Sequence, residues 1–376
     1  MNWEAWAQGE LESLRKVDRL RRLVSFDGRG PQGNVAGRTV ISFASNDYLG
    51  LAHHDEVCRA AQVAVERYGT GSTSSRLLVG TRSLHVELEQ EIAQWQGTQS
   101  ALVFPTGFAA NLAVLSTLGT AGSTLFSDAH NHASIIDGCR LARAATVVYR
   151  HGDIDHLESL LQRNAGRKIV VTDSVFSMDG DVAPLPELAR LCVRYEALLV
   201  MDQAHAVLGP DAPELAGLQI LQVGTLSKAL GSVGGWVAGP RALIDILVNR
   251  ARSFIYTTGL SPADTAAALA SLRLYRSETG SRLRARLRTI VNRVRPGHPS
   301  PILPLILGED RAALAAAEAL LARGLYVPAI RPPTVPQGTA RLRIALSASH
   351  SDAMVEQLQN ALAEVAGIHH DRRYRA

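Results

Sequence analysis

The chain has 376 residues, 46% of them apolar and 20% charged, which is enough to bury one large core plus a smaller one and excludes a disordered chain. Its longest apolar runs, 197–201 and 218–221, fall far short of the roughly 20 residues that cross a bilayer, so no membrane span is expected. The net charge of +4 comes with basic clusters only at 15–22, 282–295 and 372–375. At helical spacing these read as solvated faces, so nucleic-acid binding is unforced and a small anionic substrate explains the balance as well.

The N-terminal stretch carries acidic residues and two tryptophans where a secretory signal needs an unbroken apolar block. It reads as an amphipathic helix, and the protein is expected in the cytoplasm. Cys58, Cys139 and Cys192 lie far apart with no CxxC pair. That spacing fits neither a disulfide framework nor a zinc site, and they read as reduced packing residues.

From Leu84 onward, helices of period 3.6 alternate with short apolar strands, the pattern of an α/β fold with a mostly parallel sheet. The predicted strands are 101–104, 124–126, 146–149, 168–172, 197–201, 218–222 and 235–238. Helices from Leu84 and from Leu185 carry charges on one face. After about Leu274 the character changes to an Arg-rich helix, then a strand at 302–307, a helix at 311–323, strands at 325–330 and 341–346, and a helix from Asp352. The expected division is an N-terminal segment over 1–48, a large domain over 49–273 and a small α+β domain over 274–376.

In such sheets ligands sit at the carboxyl ends of the strands, so the residues there come first. The strand ending at Phe104 runs into PTGFAAN, a glycine turn opening a helix whose free N–H groups make a phosphate seat; Gly107 and Phe108 are the candidate donors. The strand ending at Met201 runs into Asp202, Gln203, Ala204 and His205. These read either as an N-cap with a satisfied histidine or as one site, in which a carboxylate at 202 would keep a pyridinium nitrogen protonated.

Of 39 basic residues only Lys16, Lys168 and Lys228 are lysines. The first lies in an amphipathic helix and the second begins a strand after a glycine turn. Lys228 alone follows a buried strand, in GTLSKALGSVGG. A nucleotide phosphate loop needs glycines before the lysine and a hydroxyl after it, the reverse of the order here. A Schiff-base lysine explains the arrangement better, with Thr225 available to a cofactor phosphate. His132, in SDAHNHASIIDG, is placed to stack on a planar cofactor, with His130 as its rival. HNH lacks the i, i+4 spacing of the helical zinc motif, so no metal is expected.

Together these segments resemble the α-oxoamine synthases, a family of fold-type I pyridoxal-phosphate enzymes, over nearly the whole chain. The resemblance rests on SNDYLGLAHH from Ser45, GTGSTSSRLLVGT from Gly69, FPTGFAAN from Phe104, VFSMDGDVAPL from Val175, DQAH from Asp202 and GTLSKALG from Gly224. IRPPTVPQGTARLRI from Ile330 looks like the oxononanoate-forming branch more than the aminolevulinate, aminoketobutyrate or sphingoid-base branches.

The resemblance implies that Lys228 holds pyridoxal 5'-phosphate as a Schiff base, Asp202 pairs with the pyridinium, His132 stacks on the ring, and His205 and Ser177 lie near the ring hydroxyl. Gly107, Phe108 and Thr225 would hold the phosphate, and Thr257 and Thr258 would reach across a homodimer interface. Arg343 would bind the amino acid carboxylate, Arg21 and Thr334 the acyl substrate, and Asn46 would approach the partner's site. The implied reaction is the decarboxylative condensation of L-alanine with pimeloyl-CoA or a pimeloyl carrier protein, giving 8-amino-7-oxononanoate for biotin synthesis.

The sequence departs from that pattern at Gln203, where many relatives have an acid, and in AHAVLG, shorter than the usual AHGTGVLG. Both bear on the acyl chain accepted. A sister synthase using glycine or serine is the first rival, a subunit without the lysine serving only as structural partner the second. A dinucleotide oxidoreductase fails for want of GxGxxG after the first strand.

Overall fold

The computed structural model describes residues 2–367, so the basic tail at 372–375 lies outside the described residues. The chain divides into two compact units, Leu49–Arg286 and a second that joins Met1–Tyr48 to the residues from Leu287 onward. No helix among the described residues is long and apolar enough to cross a membrane.

The larger unit is built on one sheet that, among the described residues, has seven strands in the order Ser100–Phe104, Gly235–Gly239, Gln219–Thr225, Ala197–Asp202, Arg167–Asp173, Ser123–Asp128 and Ala145–Tyr149. Gly235–Gly239 runs antiparallel to both neighbours, and the remaining pairs are parallel. The central strands are buried along almost their whole length. Both faces are covered, which is why they read as continuous apolar runs rather than alternating ones. One face packs Val171, Val200, Leu221 and Val223 against the helix Gly107–Leu118. The other packs Val170, Leu199 and Met201 against the helix Leu185–Arg194.

Because these strands are parallel, their carboxyl ends share one edge. The register sets Asp173 opposite Asp202, and Gly235 opposite both Phe104 and Thr225. Five strands of this sheet run past their expected carboxyl ends, to Asp128, Asp173, Asp202, Thr225 and Gly239, and two of these bear on the site. Asp202 is the last residue of its strand rather than the first beyond it, and the next strand continues to Thr225.

In the smaller unit Ile302–Gly308, Ala340–Ala345 and Ala329–Ile330 form an antiparallel sheet. The single strand expected over 325–330 is split. Leu325–Tyr326 pairs parallel with Arg38–Ser42, while Ala329–Ile330 joins the other sheet. Pro328 stands between them and has no N–H for a continuous ladder. A hairpin at Asp27–Arg29 and Gln32–Val35, continuing into Arg38–Ser42, was not foreseen. The N-terminal helix is shorter than its sequence pattern, Trp3–Lys16. It stops where Asp18 takes φ 56°, a left-handed conformation that cannot continue a right-handed helix.

Candidate active site

Phe104 leads through Pro105 and Thr106 into the helix Gly107–Leu118. Thr106 caps it, its hydroxyl accepting the Ala109 N–H at 3.0 Å. The first N–H groups of a helix have no acceptor within it, so Gly107 and Phe108 present donors to an anion beyond the N-terminus. A Cβ built on Gly107 would stand 3.4 Å from Cβ and 3.7 Å from Oγ1 of Thr225, so the Thr225 hydroxyl lies against the start of this helix. That hydroxyl is 2.7 Å from Ser227 Oγ and donates to the Gly234 carbonyl at 2.9 Å.

Asp202 is 5% exposed. Its Oδ2 accepts from Asn111 Nδ2 at 2.7 Å and its Oδ1 from the Ala204 N–H at 2.8 Å. Asn111 stands one helical turn after Gly107 and also donates to Ser134 Oγ at 2.9 Å. Asp173, level with Asp202 on the adjoining strand, accepts the His132 N–H at 2.8 Å. Burial, and then the charge of Asp202, hold its carboxyl well above the usual range.

His132 caps the helix Ala133–Leu141, its Nδ1 accepting the Ser134 N–H at 3.2 Å. Burial lowers its pKa against the pull of Asp202, and Lys228 lowers it further. The Lys228 charge likewise works against the raised pKa of Asp173. Lys228 Nζ lies 2.9 Å from Nε2 of the buried His205. His205 therefore accepts from Lys228 when its neutral ring carries the proton on Nδ1.

The rival histidine is elsewhere. The ring of His130 stacks on His151 with centroids 4.0 Å apart, and His151 bridges Asp128 and Asp181. Ser177 sits in the turn closed by hydrogen bonds from the Phe176 N–H to the Asp181 carbonyl at 3.0 Å and from the Gly180 N–H to the Phe176 carbonyl at 2.8 Å. Thr258 pairs with Ser75 in an isolated bridge, with Thr257 half-buried beside it. Gln203 donates to Gln222 Oε1 at 2.6 Å, and Gln222 in turn donates to the Gln96 carbonyl.

The remaining candidates lie in the smaller unit. Arg343, on the strand Ala340–Ala345, is 6% exposed and donates to Asn46 Oδ1 at 3.2 Å. Tyr48 donates to the same oxygen at 3.1 Å. Burial pushes the Tyr48 phenol up to about 12, with Arg343 opposing the rise. Arg21 and Thr334 also meet, at 3.3 Å.

The sequence reading missed Asn111, Ser134 and Asp173, although Asn111 closes the PTGFAAN segment and Asp173 directly follows the strand expected over 168–172. The only available signal was position, at a strand end or one turn into a helix that starts there.

The family model for aminotransferase class I and II matches residues 38–362. An 8-amino-7-oxononanoate synthase of Methylobacterium nodulans is 46% identical over 371 residues, covering 96% of this chain and 97% of the relative. A solved serine palmitoyltransferase from S. paucimobilis, carrying a bound PLP–myriocin aldimine, superposes with a TM-score of 0.90 at 30% identity, over 98% of this chain and 100% of that one. An 8-amino-7-oxononanoate synthase from Francisella tularensis superposes with a TM-score of 0.72 at 29% identity, over 88% of this chain and 97% of that one. The chain belongs to the class I and II aminotransferase family, with the fold-type I architecture, and within it to the 8-amino-7-oxononanoate synthases.

Proposed function

We propose that the protein is a pyridoxal-phosphate acyltransferase that condenses L-alanine with a pimeloyl thioester, releasing carbon dioxide and the thiol and forming 8-amino-7-oxononanoate for biotin synthesis. The observation that carries this reading is Lys228, just beyond the strand that ends at Thr225, with its Nζ 2.9 Å from His205 Nε2 beyond the adjacent strand that ends at Asp202.

The donor set fits the cofactor. Two buried carboxylates, Asp173 and Asp202, stand level on adjoining strands, an arrangement that favours a cationic group beside them. Asp202 would face the ring nitrogen and His132 the ring itself. Gly107, Phe108 and Thr225 would receive the phosphate, and His205 with Ser177 the ring hydroxyl. Bound there, pyridoxal phosphate supplies an electron sink for the carbanion at the substrate α-carbon.

The other steps fall to this chain's residues. Lys228 would hold the cofactor and, once displaced by the substrate amine, would move the α-proton at Nζ, with His205 Nε2 within hydrogen-bond distance. Asn111 and the Ala204 N–H fix both oxygens of Asp202, so that carboxylate keeps one orientation. In the smaller unit Arg343 would bind the alanine carboxylate beside Asn46, and Arg21 with Thr334 the acyl end.

The active assembly on this reading is a homodimer in the cytoplasm. Leu77, Leu78 and Val79 are 50%, 76% and 67% exposed and Tyr256 is 72% exposed. Their two segments are joined by the Ser75–Thr258 bridge, which puts Thr257 and Thr258 beside an apolar surface suited to a second subunit.

The test mixes the purified, cofactor-loaded protein with pimeloyl-CoA and, separately, L-alanine, glycine or L-serine, and follows free thiol. Release with alanine preferred supports the proposal. Preference for glycine or serine would move the protein to a sister synthase.

A further inference from the structure

One charged cluster at the same sheet edge takes no part in the reaction as described. His151 lies just after the strand Ala145–Tyr149. Its Nδ1 is 2.8 Å from Asp128 Oδ1 and its Nε2 is 2.8 Å from Asp181 Oδ2. An ionised carboxylate only accepts, so both ring nitrogens must donate, and a neutral imidazole has a single N–H. The geometry therefore describes an imidazolium held between two carboxylates.

The surroundings agree. Burial alone would lower the His151 pKa, but the hydrogen bonds to Asp128 and Asp181 raise it to about 10. His130 stacks on one face of the ring, and Phe176 meets it edge-on with centroids 4.4 Å apart. The neighbouring cation, Arg150, turns away to Asp153 at 2.7 Å.

The two carboxylates belong to two segments that carry candidate site residues. Asp128 ends its strand and closes the turn leading to His132, because Oδ1 also accepts the His130 N–H at 2.8 Å while Oδ2 accepts the Gly152 N–H at 3.1 Å. Asp181 closes the turn that holds Ser177, its carbonyl accepting the Phe176 N–H at 3.0 Å. One ring thus spans 23 residues in one direction and 30 in the other.

We infer that His151 is a positioning residue: as a doubly hydrogen-bonded imidazolium it locks the Asp128–His132 turn to the Phe176–Asp181 turn, and so sets where His132 and Ser177 meet the cofactor. The inference rests on the cofactor reading above. His151 itself touches no reacting atom in this account.

The test begins with the wild-type holoenzyme. Nitrogen-15 spectra around pH 8 should show both His151 ring nitrogens protonated, where an ordinary histidine is neutral. His151→Gln keeps one donating nitrogen and puts an accepting oxygen in place of the second. Its visible circular dichroism, which reports the asymmetric seating of the cofactor, should fall at least about twofold. Its cofactor dissociation constant should rise about tenfold and its kcat fall about tenfold, with KM for alanine nearly unchanged. Asp181→Asn, at the more exposed end of the clamp, should shift the same readouts in the same direction and serves if the first variant does not fold.

A neutral His151 at that pH would overturn the inference, as would a folded variant with unaltered dichroism, cofactor affinity and kcat. Absence of thiol release from the wild type with every amino acid would instead strike the functional reading, leaving the spectra and cofactor affinity to decide the clamp.

Discussion

Lys228 Nζ and His205 Nε2 stand 2.9 Å apart at the carboxyl edge of the sheet. The lysine follows a strand that ends at Thr225, and His205 lies three residues beyond the end of the adjacent strand at Asp202. The contact holds the Nζ in one place although its side chain is long and flexible. Lys228→Ala is expected to abolish the visible absorbance of the lysine-bound cofactor and to lower thiol release about a thousandfold or more, with far-ultraviolet dichroism unchanged. Retention of that absorbance would show that another amine holds the cofactor.

Asp202 has both oxygens engaged, by Asn111 at 2.7 Å and by the Ala204 N–H at 2.8 Å. Asp202→Asn removes the charge proposed to face the ring nitrogen and brings an amide N–H2 against a donor. A loss of about 100- to 1,000-fold in kcat is expected. Asn111→Ala leaves the charge and frees its direction, so a smaller loss of about tenfold is expected. Steady-state kinetics would decide, and an Asp202→Asn rate within a few-fold of wild type would remove the carboxylate from the chemistry.

The difference between these residues in legibility is physical. Buried parallel strands such as KIVVT and ALLVM announce themselves as short apolar runs, and the residues at their ends follow from the topology. Asp202, Lys228 and His132 stand out as candidates in this way. The end of the strand at Thr225 was misjudged because Gly224 reads as a breaker. It is a glycine because the indole of Trp236 lies against it, and a Cβ there would fall 2.3 Å from Trp236 Cζ2. Asp173 shares that strand-end position, but its bond to the His132 N–H, like the role of His151, exists only once distant segments meet. The hairpin at 27–35 is short and polar, with no alternation to mark it.

Gly235 tests the proposed phosphate cradle without touching a polar side chain. It begins the antiparallel strand opposite Phe104 and Thr225. A Cβ on it would fall 2.5 Å from Cα and N of Gly107 and from the Thr106 carbonyl. These are backbone atoms, so relief requires the start of the helix to move. Gly235→Ala should destabilise the protein by about 1–3 kcal/mol and weaken cofactor binding. Gly9→Ala, where a Cβ meets nothing within 4 Å, should leave both intact or raise stability slightly. Equal thermal midpoints and equal cofactor dissociation constants for the two variants would mean that the helix start is free to shift.

His85 makes the acid stability of the larger unit partly predictable. The ring is fully buried, its Nδ1 accepts the Arg82 N–H at 3.0 Å, and its Nε2 faces the Leu260 carbonyl at 2.9 Å. That pairing requires a neutral ring with the proton on Nε2. Burial first, and then the Arg76 charge, lower its pKa from 6.5 to about 4. The unfolded chain takes up a proton below pH 6.5 while the native chain does not, so the contribution is fully present above 6.5. It shrinks as pH falls and is gone by about pH 4, a change of roughly 3 kcal/mol. Other groups titrate over the same range, so the measurement is a difference. Thermal midpoints of wild type and His85→Gln, whose amide can replace both hydrogen bonds without taking a proton, should converge or cross between pH 7 and 4.5. A gap independent of pH would show that the buried ring is not the group whose protonation loosens the fold.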